Sequence, residues 1–370
     1  SVVQSQCSRY PGHPCRLLYR PFARPPDCAA LTATPYYVTL AKHYLVTGGA
    51  GFIGSHLCEC LLERGCRVTA LDNLSTGGLA NLKHFSDHAG FRLIVGDVRD
   101  DRLVSRLVSE TDQTLHLAAA VGVRLIMENP VETILVNIRG TENVLSAAAE
   151  FMKPVLLAST SEVYGKAMEN GDAGDSLRED GDWRLGTPSK RRWAYACSKA
   201  MDEFLALAYH VEKQLPVVIA RFFNTVGPRQ SSQYGMVVPA FVQRALRNDV
   251  IHVYGTGQQT RCFNHVDDTV DAVMKLLVTP KANGHIFNIG NDKEISMLDL
   301  ARRTCELSGS RSEIHTVPYD SVYSSGFEDM QRRTPSLQKL REFIDYEPRH
   351  TIDSILTSTI EYSRHFENVL

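Results

Sequence analysis

Apolar positions in this chain recur with two alternating periods from His43 onward. His43–Thr47 is a short apolar run that predicts a strand, followed by a glycine-bearing turn. Residues 55–64 carry helical spacing, with Gly65 placed as the C-cap. A second strand is predicted over 67–71 and ends in Asp72. Further strand-like runs stand at 91–95, 114–118, 154–159 and 216–221, with helical stretches between several of them. The clearest helix covers 132–150, with Ile134, Val136, Ile138, Val144 and Leu145 as candidate buried positions. Strand–helix alternation of this length predicts an α/β fold with a doubly wound parallel sheet.

After Phe223 the alternation breaks. Short strands at 251–254, 286–289 and 314–317 mix with helices at 238–247, 267–278, 297–307 and 352–364. This predicts a Rossmann-type domain over 42–223 and a smaller α+β substrate lobe over 224–370, with some chain returning to the first domain. No Pro/Gly/Ser-rich linker separates the two, and no internal repeat is visible.

Residues 1–41 hold no helical or strand period. They carry six prolines, and Arg9, Arg16, Arg20 and Arg24 stand there against one acid, Asp27. They read as a disordered extension; a targeting leader is the sharper alternative, but an apolar core segment and a clear amphipathic helix are missing.

Composition narrows the classes of function. The chain has 370 residues, 43% of them hydrophobic, and 40 basic residues nearly balance 42 acidic ones. A net charge of -2 gives no reason to expect nucleic acid or an anionic membrane as partner. No apolar run reaches the roughly 18–20 residues that cross a bilayer. None of the nine cysteines sits in a zinc-type CxxC pair, so no metal is expected and reduced thiols in the cytoplasm are.

The turn after the first strand reads Gly48-Gly49-Ala50-Gly51-Phe52-Ile53-Gly54. With a strand before it and a helix after it, this spacing predicts a dinucleotide cradle. Gly48, Gly51 and Gly54 permit the turn, Phe52 and Ile53 within it are counted with the cofactor contacts, and the N-terminus of the following helix meets a pyrophosphate. Asp72 suits a ribose diol and repels a 2′-phosphate, which favours NAD. Asn73 and Ser75 extend that contact, Asp97-Val98 is placed near the adenine, and Ala118 lets a flat cofactor approach the backbone. His116 reads as a satisfied core histidine.

Tyr195 and Lys199 are four apart on a predicted helix and therefore share a face. An ammonium beside a phenol lowers its pKa, so the pair predicts a base that takes a hydroxyl proton. Lys199 would also hold the nicotinamide ribose. Thr160, Ser161 and Glu162 follow an apolar strand, at the edge where such sheets bind ligands.

These segments resemble the extended short-chain dehydrogenase/reductase family of nucleotide-sugar epimerases, dehydratases and decarboxylases over about residues 43–365. The resemblance is carried by TGGAGFIGSHL (47–57), DNLSTG (72–77), GDVRD (96–100), HLAA (116–119), STSEVYG (159–165), YACSK (195–199), RFFNTVGPRQ (221–230) and RCFNHVDD (261–268). It implies a tightly held NAD and a nucleoside-diphosphate sugar oxidised at C4. Thr160, Ser161, Glu162, Tyr195, Lys199 and Arg261 would form the active site. Asn224, Arg229, Gln230 and Arg261 would face the diphosphate, as would Arg332 or Arg333. Glu328 or Asp329 would take the uridine ribose.

Family dehydratases carry Asp-Glu after the threonine, and Ser161 stands in place of that Asp. Family 4-epimerases usually have small residues where Glu162 stands. Thr-Ser-Glu is similar to UDP-glucuronic acid decarboxylases of the UDP-xylose synthase type, and so is the basic run 190–193. The loop 118–123 is more similar to epimerases. The resemblance thus implies a UDP-glucuronic acid decarboxylase giving UDP-xylose or a UDP-4-keto-pentose, with a UDP-glucuronate or UDP-hexose 4-epimerase as the alternative. A non-catalytic NAD sensor is the alternative of another class, although such members lose the tyrosine or lysine. The family also implies a homodimer through helices 132–150 and 195–213, with Ala147–Ala149, Ala206 and Ala208 allowing close packing.

Overall fold

The structure, a computed structural model, describes residues 42–122, 128–168, 176–232, 236–318 and 330–367. The readings made for residues 1–41, Val123, Glu328 and Asp329 lie outside them. The described residues belong to one unit, Val38–Leu370.

The first half runs β1 (His43–Thr47), α1 (Phe52–Glu63), β2 (Arg67–Asp72), β3 (Phe91–Val95), α2 (Asp101–Ser109), β4 (Gln113–His116), α3 (Pro130–Glu150), β5 (Val155–Thr160), α4 (Trp193–Lys213) and β6 (Val217–Phe222). There follow β7 (Thr225–Val226), α5 (Val237–Arg247), β8 (Ile251–Tyr254), β9 (Thr260–Cys262), β10 (Asn264–His265), α6 (Val266–Leu277) and β11 (His285–Ile289). The chain closes with β12 (Glu294–Ser296), α7 (Met297–Ser308), β13 (Ile314–Val317), α8 (Gln338–Phe343) and α9 (Ile352–Glu367).

Seven strands form one parallel sheet in the order β11-β6-β5-β4-β1-β2-β3. The order reverses between β1 and β4, which opens a crevice at the carboxyl ends of these two strands. Both faces are covered. One apolar cluster joins Leu57 and Leu61 of α1 to Val270 and Val273 of α6. The other joins Leu107 of α2, Val144 and Leu145 of α3 and Ala206 of α4. Burial on both faces explains why the strands read as near-continuous apolar runs. A third cluster gathers α5, β8, α7 and α9 around Phe241, Val253, Leu300 and Leu356.

Helix α3 departs from its predicted pattern. Val144 and Leu145 are fully buried, but Ile134 is exposed, and Thr133, Asn137 and Thr141 point inward instead. The first half of this helix therefore turns a polar face to the sheet, where it meets polar groups of β4 and α4. The alanines differ as well. Ala147, Ala148 and Ala206 are buried in the chain's own core rather than offered to a second copy. Among the described residues no helix is long and apolar enough to cross a membrane.

Candidate active site

The glycine turn is shaped by its own backbone. Gly48 holds φ 71°, and a Cβ there would stand 2.8 Å from the Ala118 nitrogen. A Cβ on Gly54 would stand 2.1 Å from the Gly48 carbonyl oxygen. Gly51 is the N-cap of α1, with no side-chain cap and no acid in the first turn. The opening N–H groups and the positive end of the helix dipole are thus suited to an anion. Phe52 and Ile53, half-buried, begin the helix.

Asp72 is buried and braces this turn. Its Oδ2 accepts the Ala50 N–H at 2.9 Å and its Oδ1 the Leu74 N–H at 2.8 Å. Burial pushes its carboxyl up, against the pull of these N–H bonds. A carboxylate has about four acceptor positions, so capacity remains for a diol. Asn73 donates to Asp97 at 3.2 Å and accepts the Ser75 N–H at 3.1 Å. Asp97 also holds Arg99 through two bonds of 2.9 and 2.7 Å, and these hydrogen bonds pull its carboxyl down to about 2. Val98 is buried under Gly140, and the Ala118 N–H donates to Thr47. A cradle that any side chain would fill, opposite an acid at the end of β2, fits NAD.

At the end of β5 the chain enters a short 3-10 turn, Ser161–Tyr164. Thr160 caps it by accepting the Glu162 N–H at 3.2 Å. The Thr160 hydroxyl also stands near enough to the Tyr195 phenol of α4 to pull its pKa down, against burial and Glu162. Glu162 is gripped from two sides, by Arg333 at 2.7 Å and Arg192 at 3.4 Å. Arg333 also donates to the Ser161 hydroxyl at 3.2 Å. Of the two late arginines only Arg333 reaches this cluster; Arg332 turns away and pairs with Glu294 at 2.6 Å.

The tyrosine–lysine pair departs from expectation in one respect. Burial pushes the Tyr195 phenol up, and Glu162 pushes it further. Lys199 is buried on the same helix face, but its ammonium pairs with Asp202 at 2.7 Å.

A second charged cluster underlies this edge. Glu203 of α4 accepts three bonds from Arg221 of β6, at 2.9, 3.2 and 2.6 Å, and one from Ser159. Arg221 lies over the Tyr164 ring, whose hydroxyl donates to Asn288 at 2.7 Å. Asn137 of α3 accepts the Ala120 N–H at 2.9 Å and donates to Ser198 at 3.0 Å, tying the loop after β4 to α4.

The residues expected at the diphosphate are spread more widely. Asn224, at a positive φ of 32°, donates to the Cys262 carbonyl at 2.8 Å. Gln230 folds back onto the Thr225 carbonyl at 3.0 Å and leaves its amide oxygen buried without a donor. Arg261 is buried on β9 and bonds the Thr260 carbonyl at 2.7 Å. Arg229 is engaged elsewhere than expected, because Glu59 of α1 holds its guanidinium. A carboxylate one helix away captures it before any ligand does.

Sequence reasoning singled out neither Arg192 nor Asp202 as a site residue. A signal existed for both, since each lies three residues from Tyr195 or Lys199 and so shares its helix face. His265, Asp267 and His350 also gather closely enough to suggest an ion site. The two imidazoles are stacked at 4.1 Å with only 19° between their planes, so their lone pairs do not converge on one point.

Comparison with known proteins agrees with this geometry. Residues 45–359 match the family model described as GDP-mannose 4,6 dehydratase. A UDP-N-acetyl-alpha-D-glucosaminuronate decarboxylase of Bacillus cytotoxicus is 41% identical over 89% of this chain and 100% of its own. UDP-glucuronic acid decarboxylase 1 of Xenopus tropicalis is 37% identical over 87% of this chain and 72% of its own. Among solved structures, UDP-glucuronic acid 4-epimerase from Bacillus cereus, in complex with UDP-glucuronic acid and NAD, superposes with a TM-score of 0.78. It is 27% identical and covers 88% of this chain and 99% of its own. The glycine cradle, the Thr160–Tyr195 contact and these matches agree: the chain belongs to the GDP-mannose 4,6 dehydratase family of NAD-dependent, extended short-chain dehydrogenase/reductases.

Proposed function

We propose that this protein is a UDP-glucuronic acid decarboxylase. The observation that carries the reading is Glu162 held between Arg333 and Arg192 beside the Thr160–Tyr195 pair. Gly48, Gly51, Gly54 and Asp72 would hold NAD, which when bound would supply an acceptor for the C4 hydride and a donor for its return. Tyr195 accepts the proton of the C4 hydroxyl, and Thr160 orients that oxygen. The resulting ketone is β to the C6 carboxylate. The C5–C6 bond then breaks, CO2 leaves, and its electron pair moves into an enolate on the C4 oxygen. The Tyr195 and Thr160 hydroxyls are placed to hold that charge. Arg333 and Arg192 are planar donors suited to a carboxylate, and they offset Glu162, which would otherwise repel the uronate. A water that Glu162 orients delivers the proton to C5, and solvent replaces it, since loss of CO2 takes up one proton overall. Arg261, Asn224 and Gln230 are proposed to face the diphosphate.

The test is turnover of UDP-glucuronic acid with NAD, followed by mass spectrometry of the nucleotide product. A product lighter by one CO2 is expected. Unchanged mass with a new retention time would mean 4-epimerisation and overturn the reading. The 41% identity to a decarboxylase of the 2-acetamido sugar favours one second reading, an acetamido group at C2. The same assay with UDP-N-acetylglucosaminuronic acid decides it.

We further propose a homodimer through α3 and α4. Val131, Ile134, Met201, Phe204 and Val211 are exposed along these two helices, an apolar strip that a second copy would cover. Light scattering that gives the monomer mass at micromolar protein would refute this. The six described cysteines are unpaired thiols, which supports a reducing compartment such as the cytoplasm.

A further inference from the structure

Lys199 is buried beside a second ionised group that the reaction does not require. Its ammonium donates to Asp202 at 2.7 Å, and their side chains are 3% and 1% exposed. A buried carboxylate needs donors, and a chain of them runs beneath the sheet edge. Burial raises the Asp202 carboxyl, while Lys199 and the nearby Thr141 hydroxyl of α3 pull it down, and its Oδ1 is buried without a hydrogen bond. His116 of β4 bonds that hydroxyl through Nε2 at 3.2 Å, and its Nδ1 bonds the Thr47 hydroxyl at 2.7 Å. Thr47 in turn accepts the Ala118 N–H at 3.2 Å.

The fixed donor at the far end sets the direction. Ala118 donates to Thr47, which leaves Thr47 to donate to Nδ1. Nε2 then carries the proton and donates to Thr141, whose own hydroxyl proton is left free to face the carboxylate. These bonds run toward the Thr141 hydroxyl beside the carboxylate, a polarity that favours its anion, while the one hydrogen bond made to Asp202 itself comes from Lys199. It requires a neutral His116, and burial, aided by Lys199, pulls that imidazole down to about 3.

We propose that Asp202 is a positioning residue for proton transfer: it fixes the Lys199 ammonium and cancels its charge, restraining the help that Lys199 gives Tyr195. An isolated ammonium on the tyrosine's helix face would favour the phenolate strongly. An ammonium closed onto a carboxylate one turn further on acts as a dipole with a much weaker field. Tyr195 then stays a phenol in the free protein and acts as the base only in the fraction that has first released its own proton to solvent. The other charges facing this pair do not compensate. Glu162 at the end of β5 opposes the phenolate and is itself held by Arg192 and Arg333. Glu203 on the same helix is closed by Arg221 of β6. His116 is neutral, and Thr141 carries no charge.

The inference rests on Tyr195 as the proton acceptor but not on the identity of the sugar. Its test therefore uses the protein without sugar. Tyrosinate absorbance is followed against pH in the parent, with a Tyr195→Phe variant subtracted. Tyr195 is expected to stay protonated through neutral pH; a phenolate already present there would overturn the proposal. In Asp202→Asn the titration is expected to move down by about one unit or more. The acid limb of kcat/KM is expected to move with it in whichever sugar reaction the protein performs. A titration that stays in place or rises overturns the proposal, whatever happens to overall activity. Should Asp202→Asn melt too early to titrate, Asp202→Ser removes the same charge with less bulk and carries the same expectation. Failure to release CO2 from UDP-glucuronic acid would count against the decarboxylase reading alone.

Discussion

Two arginine–glutamate clusters, one buried and one half-buried, flank β5. Glu203 and Arg221 are matched one to one, through bonds of 2.9, 3.2 and 2.6 Å, and Ser159 adds a further donor. Glu162 instead divides its carboxylate between Arg333 at 2.7 Å and Arg192 at 3.4 Å, and Arg333 divides its donors between Glu162 and Ser161. The first arrangement is closed and locks α4 to the sheet. The second is splayed, sits beside the Tyr195 phenol, and can rearrange around an anion without exposing an unpaired charge. The same two residue types thus serve architecture on one side of the strand and chemistry on the other.

The largest expected effect falls on the closed pair. Glu203→Gln leaves Arg221 buried without its partner and is expected to cost about 3–5 kcal/mol of stability. Denaturant unfolding checks this, and a loss below about 1 kcal/mol would contradict the contrast. Next comes the shared cluster. Arg333→Ala is expected to lower kcat/KM for the uronate about 10²–10³-fold while moving the melting temperature far less than Glu203→Gln does. Steady-state kinetics beside calorimetry separates the two outcomes, and equal destabilisation by both variants would erase the distinction.

A third cluster sharpens the comparison from the weak end. Glu59 of α1 pairs with Arg229 and with His84 at 2.9 Å, and is more exposed than Glu203. Burial alone would raise its carboxyl, but the bonds from His84 and Arg229 outweigh burial and hold it at about 2. A depressed carboxyl stabilises the fold above its ordinary pKa of 4.5, and that contribution is lost as pH falls toward about 2. Glu59→Gln is expected to cost about 1 kcal/mol at neutral pH and nothing at the bottom of that window. Urea unfolding at the two extremes measures it, and a pH-independent cost would contradict the assignment.

These clusters also show where sequence suffices. The glycine turn and Asp72 lie on consecutive elements, and Tyr195 and Lys199 lie on one helix, so spacing alone exposes them. Glu162, Arg192 and Arg333 meet only through folding, across up to 171 residues of chain, since Arg333 and Glu162 differ by that much in number. Arg332 and Arg333 were indistinguishable as neighbours. In an extended segment adjacent side chains point to opposite sides, which sends one to Glu294 and the other to Glu162. Ile134 misled for the opposite reason. The inward face of α3 is polar there because it serves Ala120, Ser198 and His116, so the apolar residue faces outward. Arg229 matched a motif but met a nearby carboxylate that no motif records.

The central claim is that the Glu162 cluster directs the C4-oxidised sugar to lose its carboxylate. Its most direct test is release of labelled CO2 from UDP-glucuronic acid carrying the label at C6, comparing the parent with Glu162→Ser. The parent is expected to release the label, and the variant to fall by about 10²-fold or more while still binding NAD. Release by Glu162→Ser at the parent rate would contradict the account.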